Sequence, residues 1–201
     1  NNAHAGIALD GDADRIVLVD EKGKVVDGDQ ILGALANAWL KTDELNGGGI
    51  VTTVMSNLGL ELYLNSKGLK LCRTHVGDRY VLEYMRQHGY NLGGEQSGHI
   101  ILSDYASTGD GIIAALQILS IALTEGKSIS DVTCLFEPVP QLLRNIKVKD
   151  ANKFDDTILR SISETAEKQI GKMGRVLIRK SGTEQVLRVM VESEDEVLML
   201  K

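Results

Sequence analysis

From Ile50 onward, short apolar runs alternate with longer segments of helical period. Ile50–Val54, Leu69–Cys72 and Ile100–Leu102 read as strands, and Leu58–Leu64, Arg79–Gln87 and Gly111–Leu123 as helices. Ser128–Leu135 reads as a short helix begun by Ser128. Alternation at this spacing implies an α/β sheet with parallel character. Before it, Gly6–Leu9 and Ile16–Val19 flank an acidic turn, and EKGK turns the chain into Val25–Val26, a β-hairpin that closes a domain. Gln30–Leu40 then places Ile31, Leu32, Leu35, Ala36 and Trp39 at helical spacing, with Asp27 or Asp29 as N-cap. Both prolines, Pro138 and Pro140, fall in one segment, which marks a linker. Beyond it, Leu142–Val148, Arg175–Arg179 and Leu187–Glu192 read as strands around a helix over Asp156–Ile170, a small α+β unit. The last eight residues, EDEVLMLK, read as an amphipathic element cut short, and a chain opening on Asn1 is expected to begin inside a longer gene product.

Composition narrows the function classes. The net charge is −6, which argues against a nucleic-acid backbone as the main partner but leaves room for small anions held by local cations. Two cysteines far apart, with no CxxC spacing, fit a reducing cytoplasm better than zinc or a disulfide framework. The longest apolar stretch is interrupted by Gln117 and Ser120, too short and too polar to span a membrane, and no leader is evident. Glycine is abundant (21 of 201) and aromatics are scarce (4%). That pairing suits tight loops where backbone approaches a ligand better than a base-stacking platform.

Three loops carry chemistry. In Asp10-Gly-Asp-Ala-Asp-Arg15, carboxylates at i, i+2 and i+4 can converge on one hard cation. A solvated acidic hairpin and a calcium loop of EF-hand type compete with that reading, but the latter needs glycine where Arg15 stands. Arg15 beside a metal suits a phosphate shared with it. In Gly93-Gly-Glu-Gln-Ser-Gly-His99, Glu95 and Ser97 are expected on one side of an extended loop, as sugar hydroxyls require, with a plain polar turn as the alternative. Arg179-Lys-Ser-Gly-Thr-Glu184, with Arg188 beyond, offers a guanidinium fork, hydroxyls and free backbone N–H groups to an anion, or else is an exposed basic turn. Two weaker signals remain. In Val76-Gly-Asp-Arg-Tyr80, Asp78 is expected to cap a helix, while Arg73, His75 and Arg79 could face a substrate. In Thr108-Gly-Asp-Gly111, Thr108 or Asp110 is expected to cap the next helix.

These loops, in this order, resemble the α-D-phosphohexomutase superfamily. The match lies in LDGDADR at 9–15, DGDQI at 27–31, TVMSNLGLE at 53–61, VGDRYV at 76–81, GGEQSGH at 93–99, TGDG at 108–111, GRVLIRKSGTE at 174–184 and RVMVE at 188–192. VGDRYV and RKSGTE resemble the phosphoglucosamine branch more than the phosphomannomutase/phosphoglucomutase branch. The resemblance covers nearly the whole chain and implies the end of domain 2 over 1–24, domain 3 over 25–137 and a truncated domain 4 over 138–201. The fold implied is a mixed-sheet α/β domain followed by a small α+β domain.

The activity implied is interconversion of glucosamine 6-phosphate and glucosamine 1-phosphate, through a 1,6-bisphosphate, for cell-wall precursor synthesis. The phosphoserine would lie outside this chain, since no Ser-His-Asn-Pro loop occurs in it, so the chain alone is expected to be inactive. The resemblance implies Mg²⁺ on Asp10, Asp12 and Asp14, with Arg15 beside the transferring group. It implies sugar contacts from Glu95 and Ser97, and phosphate contacts from Arg179, Ser181, Gly182, Thr183 and Arg188. Arg79 and His99 would touch the substrate or the moving proton. Gln185 stands where the family usually has proline after SGTE. The partners implied are a sugar phosphate and the preceding domains of the same polypeptide, with a homodimer left open. A non-catalytic sugar-phosphate-binding module and a phosphomannomutase or phosphoglucomutase remain alternatives.

Overall fold

The computed structural model describes residues 2–150, 153–171, 174–181 and 184–199. The chain forms two compact units, 1–137 and 138–201, dividing between Glu137 and Pro138.

The first unit opens with β1 (Gly6–Leu9), β2 (Ile16–Val19) and β3 (Val25–Val26), an antiparallel sheet in that order. β2 buries Ile16 and Leu18 and exposes Val17, the period-2 pattern of a half-covered strand. α1 (Gly28–Thr42) starts at Asp27, whose carboxylate accepts the Gln30 N–H at 3.0 Å. Asp29, the other cap expected from sequence, is buried and instead accepts the Asn57 N–H at 2.7 Å.

A second sheet follows, built from β4 (Gly49–Thr53), β5 (Lys70–Thr74), β6 (Leu92–Gly94) and β7 (Ile100–Leu102), in the order β5-β4-β6-β7. β4 runs parallel to β5 and β6, and β7 is antiparallel to β6. Every residue of β4 is buried, as expected for a central strand covered on both faces. Its alternation divides the core. Ile50 packs with residues of α1, α2 (Leu58–Ser66) and α4 (Gly111–Glu125), including Leu35, Leu60 and Ile118. Val51 faces the other way, onto Val81 and Met85 of α3 (Asp78–His88). α5 (Ile129–Thr133) is begun by a Ser128–Asp131 capping box. β6 was not expected as a strand. It contains two glycines and depends on β4 and β7 for pairing, which its own sequence does not reveal.

The second unit contains β8 (Gln141–Lys147), α6 (Asp156–Ile170), β9 (Gly174–Lys180), β10 (Val186–Ser193) and α7 (Glu196–Met199). Its sheet is antiparallel in the order β8-β10-β9. Asp155 caps α6 by accepting the Ile158 N–H at 2.8 Å. Glu192, fully buried on β10, pairs with Arg175 Nε at 2.7 Å, so the charge taken out of water has a close partner. Among the described residues, no helix is long and apolar enough to cross a membrane.

Candidate functional site

The acidic loop joins β1 to β2. Its backbone folds back through the Ala13 N–H to the Asp10 carbonyl (3.2 Å), with Ala13 at φ 60°. One carboxylate oxygen from each of Asp10, Asp12 and Asp14 lies within 4.8 Å of the others. Such crowding is repulsive unless a cation is shared. Arg15 offsets part of it, its Nε lying 3.5 Å from Asp10 Oδ2 and 3.7 Å from Asp14 Oδ1. Asp14 Oδ1 is buried without a hydrogen-bond partner among the described residues. An all-oxygen donor set with a buried, unsatisfied acceptor fits a hard divalent cation such as Mg²⁺. The first amide of α4, at Gly111, donates to the Ala13 carbonyl at 2.9 Å and so anchors the loop to a helix start.

The loop between β6 and β7 is not extended, as the sequence suggested, but turned. The Gly98 N–H donates to the Glu95 carbonyl (3.0 Å) and the Glu95 N–H to the His99 carbonyl (2.9 Å). Glycine is required at 98 because a Cβ there (φ 91°) would collide with the Ile16 carbonyl, against which this backbone lies. That close approach joins the two loops. The Ile16 N–H donates to the Gly98 carbonyl at 3.1 Å, and Arg15 and His99 form an antiparallel bridge. Ser97 is exposed at the tip, and Glu95, half-buried, accepts the Gly77 N–H at 3.1 Å. His99 is 3% exposed, with Nδ1 3.0 Å from Asp14 Oδ2.

Two expectations for the segment before α3 change. Asp78 does not cap the helix. The N-cap is Gly77, without a side-chain bond, and Asp78 lies inside the first turn with Oδ2 3.9 Å from His99 Nε2. Arg73 does not face a substrate. Its guanidinium binds Glu61 at 3.0 Å and the Ser56 carbonyl at 2.7 Å. Arg79 is exposed and pairs along its own helix with Glu83 at 2.8 Å, which raises its pKa. His75 meets Tyr80 edge-on at 5.7 Å. In the next loop, Asp110 caps α4 by accepting the Ile112 and Ile113 N–H groups, as expected.

In the second unit, Arg179 and Arg188 are direct cross-strand partners on β9 and β10. Like charges so placed repel. Burial first, and Arg188 second, push the Arg179 pKa down. Arg188 Nε is buried without a hydrogen-bond partner among the described residues, and its nearest carboxylate, on Glu184, is 4.0 Å from Nη2. Two guanidinium groups in this state have the donors and charge that an anion would satisfy. The Ser181 N–H donates to the Val186 carbonyl, and its hydroxyl oxygen accepts the Glu184 N–H at 3.3 Å. Gly182 and Thr183 lie outside the described residues.

The structure therefore brings Asp10, Asp12, Asp14, Arg15 and His99 together and ties their loop to the turn bearing Glu95 and Ser97. Gly109 escaped the sequence reading. It lies flat against the His99 ring, where a Cβ would overlap Nε2. Only the glycine in TGDG hinted at a close approach there.

Comparison with known proteins bears on this arrangement. Residues 27–139 match the phosphoglucomutase/phosphomannomutase alpha/beta/alpha domain III, and residues 143–200 the C-terminal domain of the same family. The phosphoglucosamine mutase of Brucella anthropi is 55% identical over 199 residues, 99% of this chain and 44% of that protein. That of Parvibaculum lavamentivorans is 56% identical over 197 residues, 98% of this chain and 44% of that protein. The chain thus spans less than half the length of these curated relatives. Among solved structures, Aspergillus fumigatus N-acetylphosphoglucosamine mutase in complex with GlcNAc-6P and magnesium superposes with a TM-score of 0.77 at 21% identity, over 96% of this chain and 49% of that one. A Burkholderia thailandensis phosphoglucomutase/phosphomannomutase family protein gives 0.78 at 21%, over 100% and 44%. At that identity the likeness shows the fold.

Proposed function

The chain belongs to the phosphoglucomutase/phosphomannomutase family, and from that premise we propose that it carries the metal, sugar and phosphate sites of a phosphoglucosamine mutase. The reaction is interconversion of glucosamine 6-phosphate and glucosamine 1-phosphate through the 1,6-bisphosphate. The relatives that share more than half of their matched residues with this chain support the amino-sugar substrate. The observation that carries the reading is the stitching of two loops. The Asp10, Asp12 and Asp14 carboxylates converge, and Asp14 is hydrogen-bonded to His99 of the turn that bears Glu95 and Ser97.

Asp10, Asp12 and Asp14 would hold Mg²⁺, which polarises a phosphoryl oxygen and offsets its charge during transfer. Arg15, adjacent to these carboxylates, presents a guanidinium to the same phosphoryl group. Glu95 accepts from sugar hydroxyls with an orientation fixed by the Gly77 N–H, and Ser97 adds a donor at the tip. Arg179, Ser181, Gly182, Thr183 and Arg188 take the phosphate that does not react. With the phosphoryl donor outside these residues, positioning and electrostatics would be their contribution to catalysis. Arg79 would leave Glu83 to join the substrate.

No Ser-His-Asn-Pro loop occurs in these 201 residues, so on this reading the phosphoryl donor would be supplied from outside them, by polypeptide of the kind that the longer relatives possess. The same polypeptide would cover the apolar residues exposed on the first sheet, such as Val17 and Val25. Two free thiols, Cys72 and Cys134, suit the cytoplasm.

Calorimetry with Mg²⁺ present tests the reading. Glucosamine 6-phosphate is expected to bind the chain more tightly than glucose 6-phosphate, and no mutase turnover is expected from the chain alone. Measurable turnover would overturn the external phosphoryl donor. A preference for glucose 6-phosphate would move the chain to the phosphoglucomutase/phosphomannomutase branch.

A further inference from the structure

The turn that bears Glu95 and Ser97 is tied to the start of α3. Glu95 accepts the Gly77 N–H at 3.1 Å, which fixes the residue before Asp78 to that turn. Asp78 Oδ2 lies 3.9 Å from His99 Nε2, too far for a hydrogen bond. That ring nitrogen is buried without a hydrogen-bond partner among the described residues, and His99 as a whole is 3% exposed. A buried, unsatisfied nitrogen beside an exposed carboxylate is a place that a polar ligand group would complete. The other carboxylates of these loops are engaged: Asp14 faces Arg15, Glu95 holds Gly77 and Asp110 caps α4. The nearby arginines turn away from Asp78, Arg79 to Glu83 and Arg73 to Glu61. Among the described residues, His99 is the only ionic neighbour of Asp78, whose side chain is 58% exposed.

Charge decides what such a carboxylate selects. Glucosamine phosphates and glucose phosphates differ in one group, an ammonium against a hydroxyl. An ammonium brings three N–H donors and a full charge, and a hydroxyl brings one donor and none. We propose that Asp78 is the specificity-determining residue for the amino sugar: its carboxylate accepts a hydrogen bond from the substrate ammonium and so separates glucosamine phosphates from glucose phosphates. This deepens the phosphoglucosamine mutase reading above and rests on it. The Glu95–Gly77 bond gives the discrimination its geometry, because the side chain that reads the hydroxyls also positions the loop that reads the charge. A carboxylate suits this task because the bond it forms with an ammonium is charge-assisted, whereas the bond it forms with a hydroxyl has charge on one side alone.

The test is calorimetry of the 201-residue chain and its Asp78→Asn variant with glucosamine 6-phosphate and with glucose 6-phosphate, Mg²⁺ present. Asparagine keeps the shape of the side chain and removes its charge. The variant is expected to bind glucosamine 6-phosphate about tenfold more weakly, the low end for a charged hydrogen bond because Asp78 is exposed. Its affinity for glucose 6-phosphate is expected to stay as it was. Added salt should erode the preference of the unaltered chain and leave the selectivity of the variant in place. If Asp78→Asn fails to fold, ¹³C NMR of the unaltered chain decides. The Asp78 carboxyl carbon is expected to shift on saturation with glucosamine 6-phosphate and to stay in place with glucose 6-phosphate. An undiminished preference in the folded variant, an equal loss of both sugars, or a carboxyl carbon that answers both ligands alike overturns this proposal alone. Equal binding of the two sugars by the unaltered chain overturns it together with the amino-sugar substrate. Binding of neither overturns the sugar-phosphate reading as a whole.

Discussion

Asp29, 1% exposed, lies in the first turn of α1 and accepts the Asn57 N–H. Burial raises its pKa to about 7, and the Asp27 charge adds to that, against the Asn57 N–H, Ser56 and Arg73, which lower it. The folded chain therefore binds this proton more tightly than the unfolded chain, whose carboxyl has its ordinary value of 3.8. The contribution of Asp29 to stability is complete below that value, declines as pH rises towards about 7, and is level beyond. Asp29→Asn removes the ionisation. Urea titrations between pH 5 and 8 are expected to show the variant gaining on the unaltered chain as pH rises, with the gain levelling near pH 7. A pH-independent difference would contradict the assignment. Arg188 makes the opposite kind of prediction, since its cost is a like charge and the benefit proposed for it is a ligand. Arg188→Met is expected to raise the melting temperature of the second unit in phosphate-free buffer by relieving Arg179. It should also weaken phosphate binding about 10–100-fold, the worth of one charged hydrogen bond. Calorimetry with inorganic phosphate checks the second half, and a loss of stability without phosphate would refute the first.

At the scale of elements, the short helix α5 depends on a residue far away in sequence. Glu21, in the turn between β2 and β3, accepts both the backbone N–H (3.1 Å) and the hydroxyl of Ser130. The Ser130 hydroxyl is the main reason that the Glu21 pKa falls from 4.5 to about 2. Stability from this contact is therefore present above the ordinary glutamate pKa and is lost as pH falls through about 2. Ser130→Ala is expected to lower the melting temperature by a few degrees and to move acid unfolding to higher pH, both read by circular dichroism. An unchanged acid limb would remove Glu21 from the account.

Elements of this kind separate what sequence discloses from what it does not. Asp156–Ile170 was legible to the residue because the helical period is a local signal, though the cap at Asp155 was not named from it. β6 was not, because Leu92-Gly-Gly becomes a strand only through partners more than 35 residues apart on one side. The three loops stood out in sequence as candidate sites because carboxylates, glycines and guanidinium groups cluster there. Their joining was not. The His99–Asp14 bond spans 85 residues, and Arg73, expected to face a ligand, is occupied by Glu61, a pairing that sequence spacing does not encode.

At the scale of the whole molecule, the first unit holds two sheets and the second one, and each unit has its own buried residues and its own candidate ligand. The acidic loop belongs to 1–137 and the paired arginines to 138–201. A ligand that binds only the folded form stabilises by RT ln(1 + [L]/Kd), and it acts on the cooperative unit that contains its site. Scanning calorimetry of the chain is therefore expected to resolve two transitions. Mg²⁺ should raise the transition of the first unit and leave the second in place, and inorganic phosphate should do the reverse. At a hundredfold excess over Kd the gain is about 2.7 kcal/mol. For the 64-residue second unit, such a gain corresponds to a shift of well over ten degrees, since about 1 kcal/mol moves a domain of that size by roughly 4–8 °C. Asp14→Asn should abolish the Mg²⁺ response alone, and Arg188→Met the phosphate response alone. A single transition shifted by either ligand would mean that the two units unfold as one and that their sites are thermodynamically linked.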